Sequence, residues 1–222
     1  MFCRTLSGIA LALLTAVSSK AQLASALSAQ AQQPADAYEV YSVVITQVQS
    51  LHQPKFLVAS DTAAYANTKS GFPIDPEKLV TRQEFDERLR ISKGTTEWNK
   101  IWKSQPCILV PEAQREAYLS AMRDYRRKNE VSVTLEPKLN LPKPYVLVPV
   151  SRLSSDKRVE LAEQNGAYGV YELSAVGFSS DMTIAIVYIG FDCPLCGRWA
   201  VHVLRKTNGK WQEVAVGCSW LS

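Results

Sequence analysis

Cys193-Pro194-Leu195-Cys196-Gly197 is the stretch of this chain whose residue types and spacing could do chemistry. Two thiols three positions apart suit three uses. A redox pair needs one thiolate stabilised, usually by a helix N-terminus. Strands are predicted on both sides of the motif, so that helix is missing. A zinc knuckle also places C-P-x-C-G in a turn between strands. A structural zinc site takes four ligands, however, and the chain has no second C-x-x-C, so Cys107, Cys218 or His202 would have to complete it. The third use is a bridge across a tight turn. Cys107 and Cys218 would then pair and close a long loop, stabilising the fold by about 3–5 kcal/mol. The structural use is favoured. With Cys3 set aside as part of an expected leader, the remaining four cysteines allow three pairings, and Cys193–Cys218 or Cys196–Cys218 stays open beside Cys193–Cys196.

The remaining reactive types form no constellation. His202 falls in the middle of a predicted strand, where a packed, hydrogen-bonded ring is expected. His52 reads as loop beside Pro54. A Cys–His nucleophile needs a free thiolate beside a base and an orienting group, and the spacing offers none. The chain has no G-x-S-x-G, S-x-x-K, H-E-x-x-H, EF-hand or phosphate-cradling glycine loop. Glu84, Asp86 and Glu87 read as a solvated helix face. No catalytic, cofactor or metal residue is assigned. Trp98 and Trp102 share one predicted helix side and belong to the core. Trp199, Trp211 and Trp220 fall near the predicted sheet end and the cysteines; exposed together they would form a binding surface.

Those residues sit behind a leader. Met1-Phe2-Cys3-Arg4 is a short basic start, and 6–17 (LSGIALALLTAV) is an apolar run of signal-peptide length, too short to span a bilayer. Small-residue cleavage patterns follow at Ser19-Lys20-Ala21 and at Ala29-Gln30-Ala31, and the Ala/Gln/Ser tract to Ala37 has little to pack. The expectation is 1–31 as signal peptide and cleavage region and 32–222 as a single α+β domain. It would be exported to a periplasmic or extracellular space, with no membrane span after cleavage. Such a space favours disulfides. Setting aside Arg4 and Lys20 lowers the formal charge from +4 to +2. That balance argues against nucleic acid as a partner, despite Arg126-Arg127-Lys128 at a predicted helix end.

The elements that must position the cysteines follow from periodicity and turn chemistry. Asp36-Ala37-Tyr38-Glu39 has the form of a capping box for a helix over 36–50, with Tyr41, Val44, Ile45 and Val48 at helical spacing. A short strand spans 55–60. Thr81-Arg82-Gln83-Glu84 is a second capping box, opening a helix ended by Lys93-Gly94; a short helix follows from Thr95 or Thr96. Pro111 starts a helix to Asn129 with Tyr118, Met122 and Tyr125 on one stripe. Strands at 131–135 and 145–150 flank a proline-rich crossing, and a helix over 155–164 is stopped by Asn165-Gly166. Strands at 170–178, 183–191, 199–206 and 211–216 complete the chain. Asn208-Gly209 closes a hairpin that pairs Lys206 with Trp211 and Val203 with Val214. That register puts Val201, Val203, Val214, Val216, Ile184 and Ile186 on one face. The run 184–189 is apolar on both faces and belongs in the sheet centre. The expected fold is α+β: a C-terminal four-stranded antiparallel β-meander packed against the N-terminal and middle helices.

Gly177-Phe178, the strand ending in a Cys-rich Gly turn, Asn208-Gly209-Lys210-Trp211 and the Trp-x-Ser end resemble a module of exported bacterial proteins with no assigned activity. The likeness covers about a quarter of the chain, and more weakly 38–61. It implies secretion and the module's fold, and carries over no catalytic residue. The functional expectation is therefore a disulfide-stabilised exported domain that binds a protein or envelope component, without catalysis. The alternatives are a thiol–disulfide oxidoreductase using Cys193 and Cys196, or a zinc-binding module.

Overall fold

The apolar strand 184–189 lies in the middle of a seven-stranded mixed sheet, and all nine residues of its strand are buried. The computed structural model describes residues 33–48, 54–64, 80–97, 108–194 and 196–221; the side chains of Cys218, Trp220 and Leu221 are outside the description. Within it, Gln33–Ser222 is one compact unit. The expected leader, His52, Trp98, Trp102 and Cys107 lie outside the described residues.

Among the described residues nine strands and four α-helices follow in chain order. Helix α1 is Ala35–Val48 and strand β1 Phe56–Ala59. Strand β2 (Val80–Thr81) leads into α2 (Arg82–Ser92), and β3 (Leu109–Val110) pairs with β2 in a separate two-stranded ribbon. A 3-10 turn, Glu112–Gln114, precedes α3 (Arg115–Lys128). Then come β4 (Tyr145–Val148), α4 (Ser155–Gln164), β5 (Val170–Leu173), β6 (Gly177–Phe178), β7 (Ile184–Asp192), β8 (Arg198–Thr207) and β9 (Lys210–Leu221). The sheet order is β4-β1-β5-β7-β8-β9, with β6 also on β7.

The class is α+β, but the C-terminal strands do not form a self-contained four-stranded meander. β1 runs parallel to both β4 and β5 and extends the sheet beyond the antiparallel set. Burial explains why the sequence did not show this. Phe56, Leu57, Val58 and Ala59 are all buried, the continuous apolar pattern of a strand covered on both faces.

Alternation along the strands sorts the core onto two sides. Val58, Tyr171, Val187, Ile189 and Phe191 pack with Tyr41, Val44 and Ile45 of α1. On the opposite face Ile184, Ile186, Tyr188, Val201 and Val203 meet Tyr118, Met122 and Tyr125 of α3, while Leu57, Ala59 and Val170 meet Ala162 of α4. The β-branched α1 is a helix because this burial, rather than intrinsic propensity, decides it.

The expected first strand of the meander is broken. Residues 170–178 run along one edge of β7, but Leu173 pairs with Ile189 and Gly177 with Ile186, so the two strands have a one-residue offset. The chain between them is satisfied by side chains. Asn129, fully buried at the end of α3, accepts from the Ala175 N–H (2.8 Å) and donates to the Ala175 carbonyl (3.0 Å) and the Tyr125 carbonyl (2.8 Å). Tyr41 donates to the Ser174 carbonyl (2.9 Å). Burial, with Tyr38 beside it, pushes the Tyr41 hydroxyl pKa well above its usual value, so it stays a donor. At Gly177 a Cβ would lie 2.4 Å from the Ala121 carbonyl and 2.3 Å from the Tyr125 Cβ, so only glycine lets α3 rest on the sheet backbone.

Three local expectations change. Helix α1 begins at Ala35, so Asp36 sits in the first turn and does not cap. It instead accepts from Lys206 Nζ (2.8 Å), and Glu39 accepts from the Trp211 backbone N–H (3.3 Å). Both carboxylates of the expected capping box thus hold the turn end of the β8–β9 hairpin. The strand at 131–135 reduces to a single bridge between Asp61 and Thr134. The hairpin register holds from Lys206–Trp211 to Leu204–Glu213, then slips, so Val203 faces Ala215 and not Val214. Ala215 packs toward the α3 side, while Val214 and Val216 are 43% and 45% exposed. The turn itself is as expected, with positive φ at Asn208 and Gly209.

The second capping box is complete: Thr81 Oγ1 accepts from the Glu84 N–H and Glu84 accepts from the Thr81 N–H. That backbone bond, with Arg115 beside it at 3.0 Å, lowers the Glu84 pKa to about 2. A carboxylate depressed in the fold contributes stability above its ordinary pKa and loses it as pH falls toward about 2. Arg115→Ala should move the Glu84 carbonyl titration, followed by NMR, upward toward the ordinary carboxylate range.

Removing the Asn129 amide leaves the Ala175 N–H buried without a partner and its carbonyl with the Ser174 hydroxyl alone, at 3.1 Å. Asn129→Ala should therefore lower stability by about 1–3 kcal/mol in urea unfolding. A change below about 0.5 kcal/mol would show that the broken strand does not depend on it.

Candidate functional site

The cysteine motif lies in the turn between β7 and β8, and Cys193 and Cys196 are bonded to each other with Cα atoms 5.3 Å apart. Cys193 is 7% exposed and belongs to the α1-side core with Phe191 and Ile189. The turn returns directly into a strand, β8, and no helix N-terminus follows it. Cys218 lies on β9, and the pairing expected for it with Cys107 falls outside the described residues.

The residue before the bridge is held by a buried ion cluster that the sequence reading missed. Arg158 of α4 reaches Asp192 at 3.0 Å and Glu172 at 3.2 Å. Burial works against the guanidinium charge, but the two carboxylates outweigh it and hold its pKa above the ordinary value. Gly169 closes over the same spot: a Cβ there would lie 2.4 Å from the Asp192 carbonyl and 2.7 Å from the Phe191 ring. Tyr168, half exposed, stacks on that ring at 6.4 Å. The cysteine turn is thus anchored by a salt bridge, a glycine contact and an aromatic stack. Asp192 next to Cys193 was visible in the sequence; its partner Arg158 reads there as one more charge on an exposed helix.

His202 is 2% exposed, and its Nδ1 lies 2.5 Å from Glu213 Oε2. With its side-chain amide oriented to donate, Gln47 of α1 reaches the same carboxylate at 2.8 Å. Nε2 has no hydrogen-bond partner among the described residues, and the His202 residue borders a crevice, lined also by Val48, Ile189, Phe191, Arg198 and Ala200, that has no room for a water molecule. Glu213 was legible in the hairpin register, which places it diagonal to His202 on the neighbouring strand.

The histidine and the cysteines are not brought together. His202 pairs with Val187, six residues before Cys193, which at the strand rise is roughly 20 Å. A Cys–His exchange site is excluded by that distance, and His202 cannot complete a zinc site with Cys193 and Cys196. Among the described residues no group of three or more His, Cys, Asp or Glu could hold a metal ion.

The three tryptophans do not form one surface. Trp211 pairs with Lys206 at the hairpin end of β9, far from the cysteines, and is 3% exposed in the α1-side core against Phe178. Trp199 packs on the opposite, α3 side, where its indole covers Gly190. Only Trp199 and Trp220 are cross-strand partners near the bridge. The sequence brought Trp211 to them because it counted closeness along the chain, and a hairpin sends its two ends apart.

Comparison with family models, curated proteins and solved structures returns no match. Among the described residues no helix is long and apolar enough to cross a membrane.

Among the described residues Arg158 is the sole cation contacting Asp192 and Glu172, so removing it leaves buried negative charge. Arg158→Met should cost about 3–5 kcal/mol in urea unfolding. The triple change Arg158→Met with Glu172→Gln and Asp192→Asn should recover part of that loss. Equal instability of both variants would place the cost in lost packing and not in charge.

Proposed function

We propose that this chain is an exported, disulfide-stabilised α+β domain whose role is binding, not catalysis, toward a protein or envelope component outside the cytoplasm. The leader-like segment 1–31 supports export, and an oxidised cysteine pair fits such a compartment. In this reading the antiparallel side of the sheet is the four-stranded module that resembles those of exported bacterial proteins. The parallel strands β1 and β4 are additions beside it.

The observation that carries the non-enzymatic reading is the seat of Cys193. An attacking thiolate must be accessible and stabilised by nearby positive charge or a helix N-terminus. Cys193 is nearly buried, a strand follows the turn, and the adjacent cation Arg158 is already bound to two carboxylates. A bridge so placed closes a turn and stiffens the end of β7 and β8. The binding surface narrows to the Trp199–Trp220 end of β8 and β9, since Trp211 is core.

Alkylation and intact mass of the purified exported protein across a glutathione redox series test this reading. Cys193 and Cys196 should stay bonded down to potentials below about −300 mV, the range of structural bridges. Exchange near about −200 mV would instead make the pair a thiol–disulfide oxidoreductase centre. Zinc held by the two free thiolates on metal analysis would make it a metal module.

A further inference from the structure

The chain contains two Asn-Gly pairs among its described residues, and the fold treats them oppositely. Asn165-Gly166 ends α4. There Asn165 Nδ2 donates to the Leu161 carbonyl at 2.9 Å, and the Gly166 N–H donates to the Glu163 carbonyl at 2.9 Å. Both the side-chain amide and the following backbone nitrogen are therefore occupied. Asn208-Gly209 is the two-residue turn between β8 and β9. Both residues are exposed, and the space where a Gly209 Cβ would point is empty to 4 Å. No hydrogen bond within the described residues engages the Asn208 amide or the Gly209 N–H.

We infer that Asn208 is a site of spontaneous succinimide formation and conversion to aspartate and isoaspartate, while the fold protects Asn165. The Gly209 backbone nitrogen attacks Cγ of Asn208. A nitrogen–Cγ bond forms and the Cγ–Nδ2 bond breaks. The backbone nitrogen gives its proton to water, and Nδ2 gains one and leaves as ammonia. Water then opens the imide. Attack at the side-chain carbonyl gives aspartate, and attack at the α-carbonyl gives isoaspartate, whose main chain runs through Cβ and Cγ. Water is the one co-reactant. Glycine at 209 matters because a side chain would crowd the attacking nitrogen.

The isoaspartate form has a consequence for the hairpin. Its main chain is one atom longer in a turn that has only two residues between Thr207 and Lys210. The Thr207–Lys210 and Lys206–Trp211 pairs lose their spacing, and Trp211 is the buried anchor beside them. The modified chain is expected to unfold at lower urea concentration than the unmodified one.

Peptide mapping after digestion at glutamate separates the two sites, because Asn165 falls in 164–172 and Asn208 in 173–213, each the sole asparagine of its peptide. The full chain is incubated folded and, in parallel, unfolded in urea, in mildly alkaline buffer. In the folded chain the amide-to-acid mass shift should appear in 173–213 on the order of tenfold faster than in 164–172, and fragmentation should reveal isoaspartate at 208. Unfolding should bring the two rates together. Gly209→Ala should slow conversion at 208 in the unfolded chain, where loss of the turn cannot confuse the result. Equal rates in the folded chain would overturn the inference. So would a folded chain in which 173–213 stays unchanged while its unfolded counterpart converts.

Discussion

One buried amide, that of Asn129, holds together the parts on which this fold depends. At that point an edge of the central strand β7 passes from β5 to β6, and the chain between them carries polar backbone groups into a buried region. Leaving them unmet would cost as much as several favourable contacts supply. The Asn129 side chain presents a carbonyl and an NH2 as a neighbouring strand would. Because it also closes the last turn of α3 through Tyr125, it fixes that helix to the sheet at the same place. Gly177 completes the arrangement by letting the helix backbone touch the strand. The α3-side core, Tyr118 to Val203, is assembled around this contact.

A second set of polar contacts secures the far side. Asp36, Glu39 and Gln47 lie along α1, and each reaches β8 or β9, through Lys206, the Trp211 backbone or Glu213. The helix therefore grips the hairpin along its length, with Tyr41, Val44 and Ile45 buried beneath. At the opposite end of β7 the disulfide, Arg158 and Gly169 hold the turn into β8. The polar groups that these two sets join are structural commitments, and they leave the Cys193–Cys196 motif and the buried His202 ring at separate places along β7 and β8.

Much of this was legible in the chain. Asn208-Gly209 announced the hairpin and its starting register, Thr81 to Glu84 announced a helix start, and the double-sided apolar run at 184–189 announced the sheet centre. What could not be read depended on partners distant in sequence. Nothing local in Asn129 distinguishes a strand mimic from an ordinary helix end. Arg158 looks like any solvated helix cation until Asp192 and Glu172 are brought beneath it. Asp36 and Glu39 satisfied the local pattern of a capping box, but cations and amides from β8 and β9 competed for them and won. The slip at Val214 is likewise absent from a period-two pattern, and it moved Val214 and Val216 off the face they were expected to share with Val201 and Val203. For the candidate site the type of motif was visible, and the Cys193–Cys196 bond is the favoured one of several pairings the sequence left open. The surroundings that decide its chemistry were not.

The slip at Val214 also bears on the protein's behaviour in crowded solution. β9 ends the order of the sheet and carries twelve residues, two of them exposed valines. A straight strand of that length would offer a flat ladder on which other chains could stack, the start of a cross-β aggregate. The extra residue kinks the strand and breaks the ladder's spacing partway along. Deleting Val214 would leave Ala215 opposite Val203 and even out the spacing there, lengthening the regular part of the template. The irregularity that misled the pattern reading thus serves as a guard on colloidal solubility.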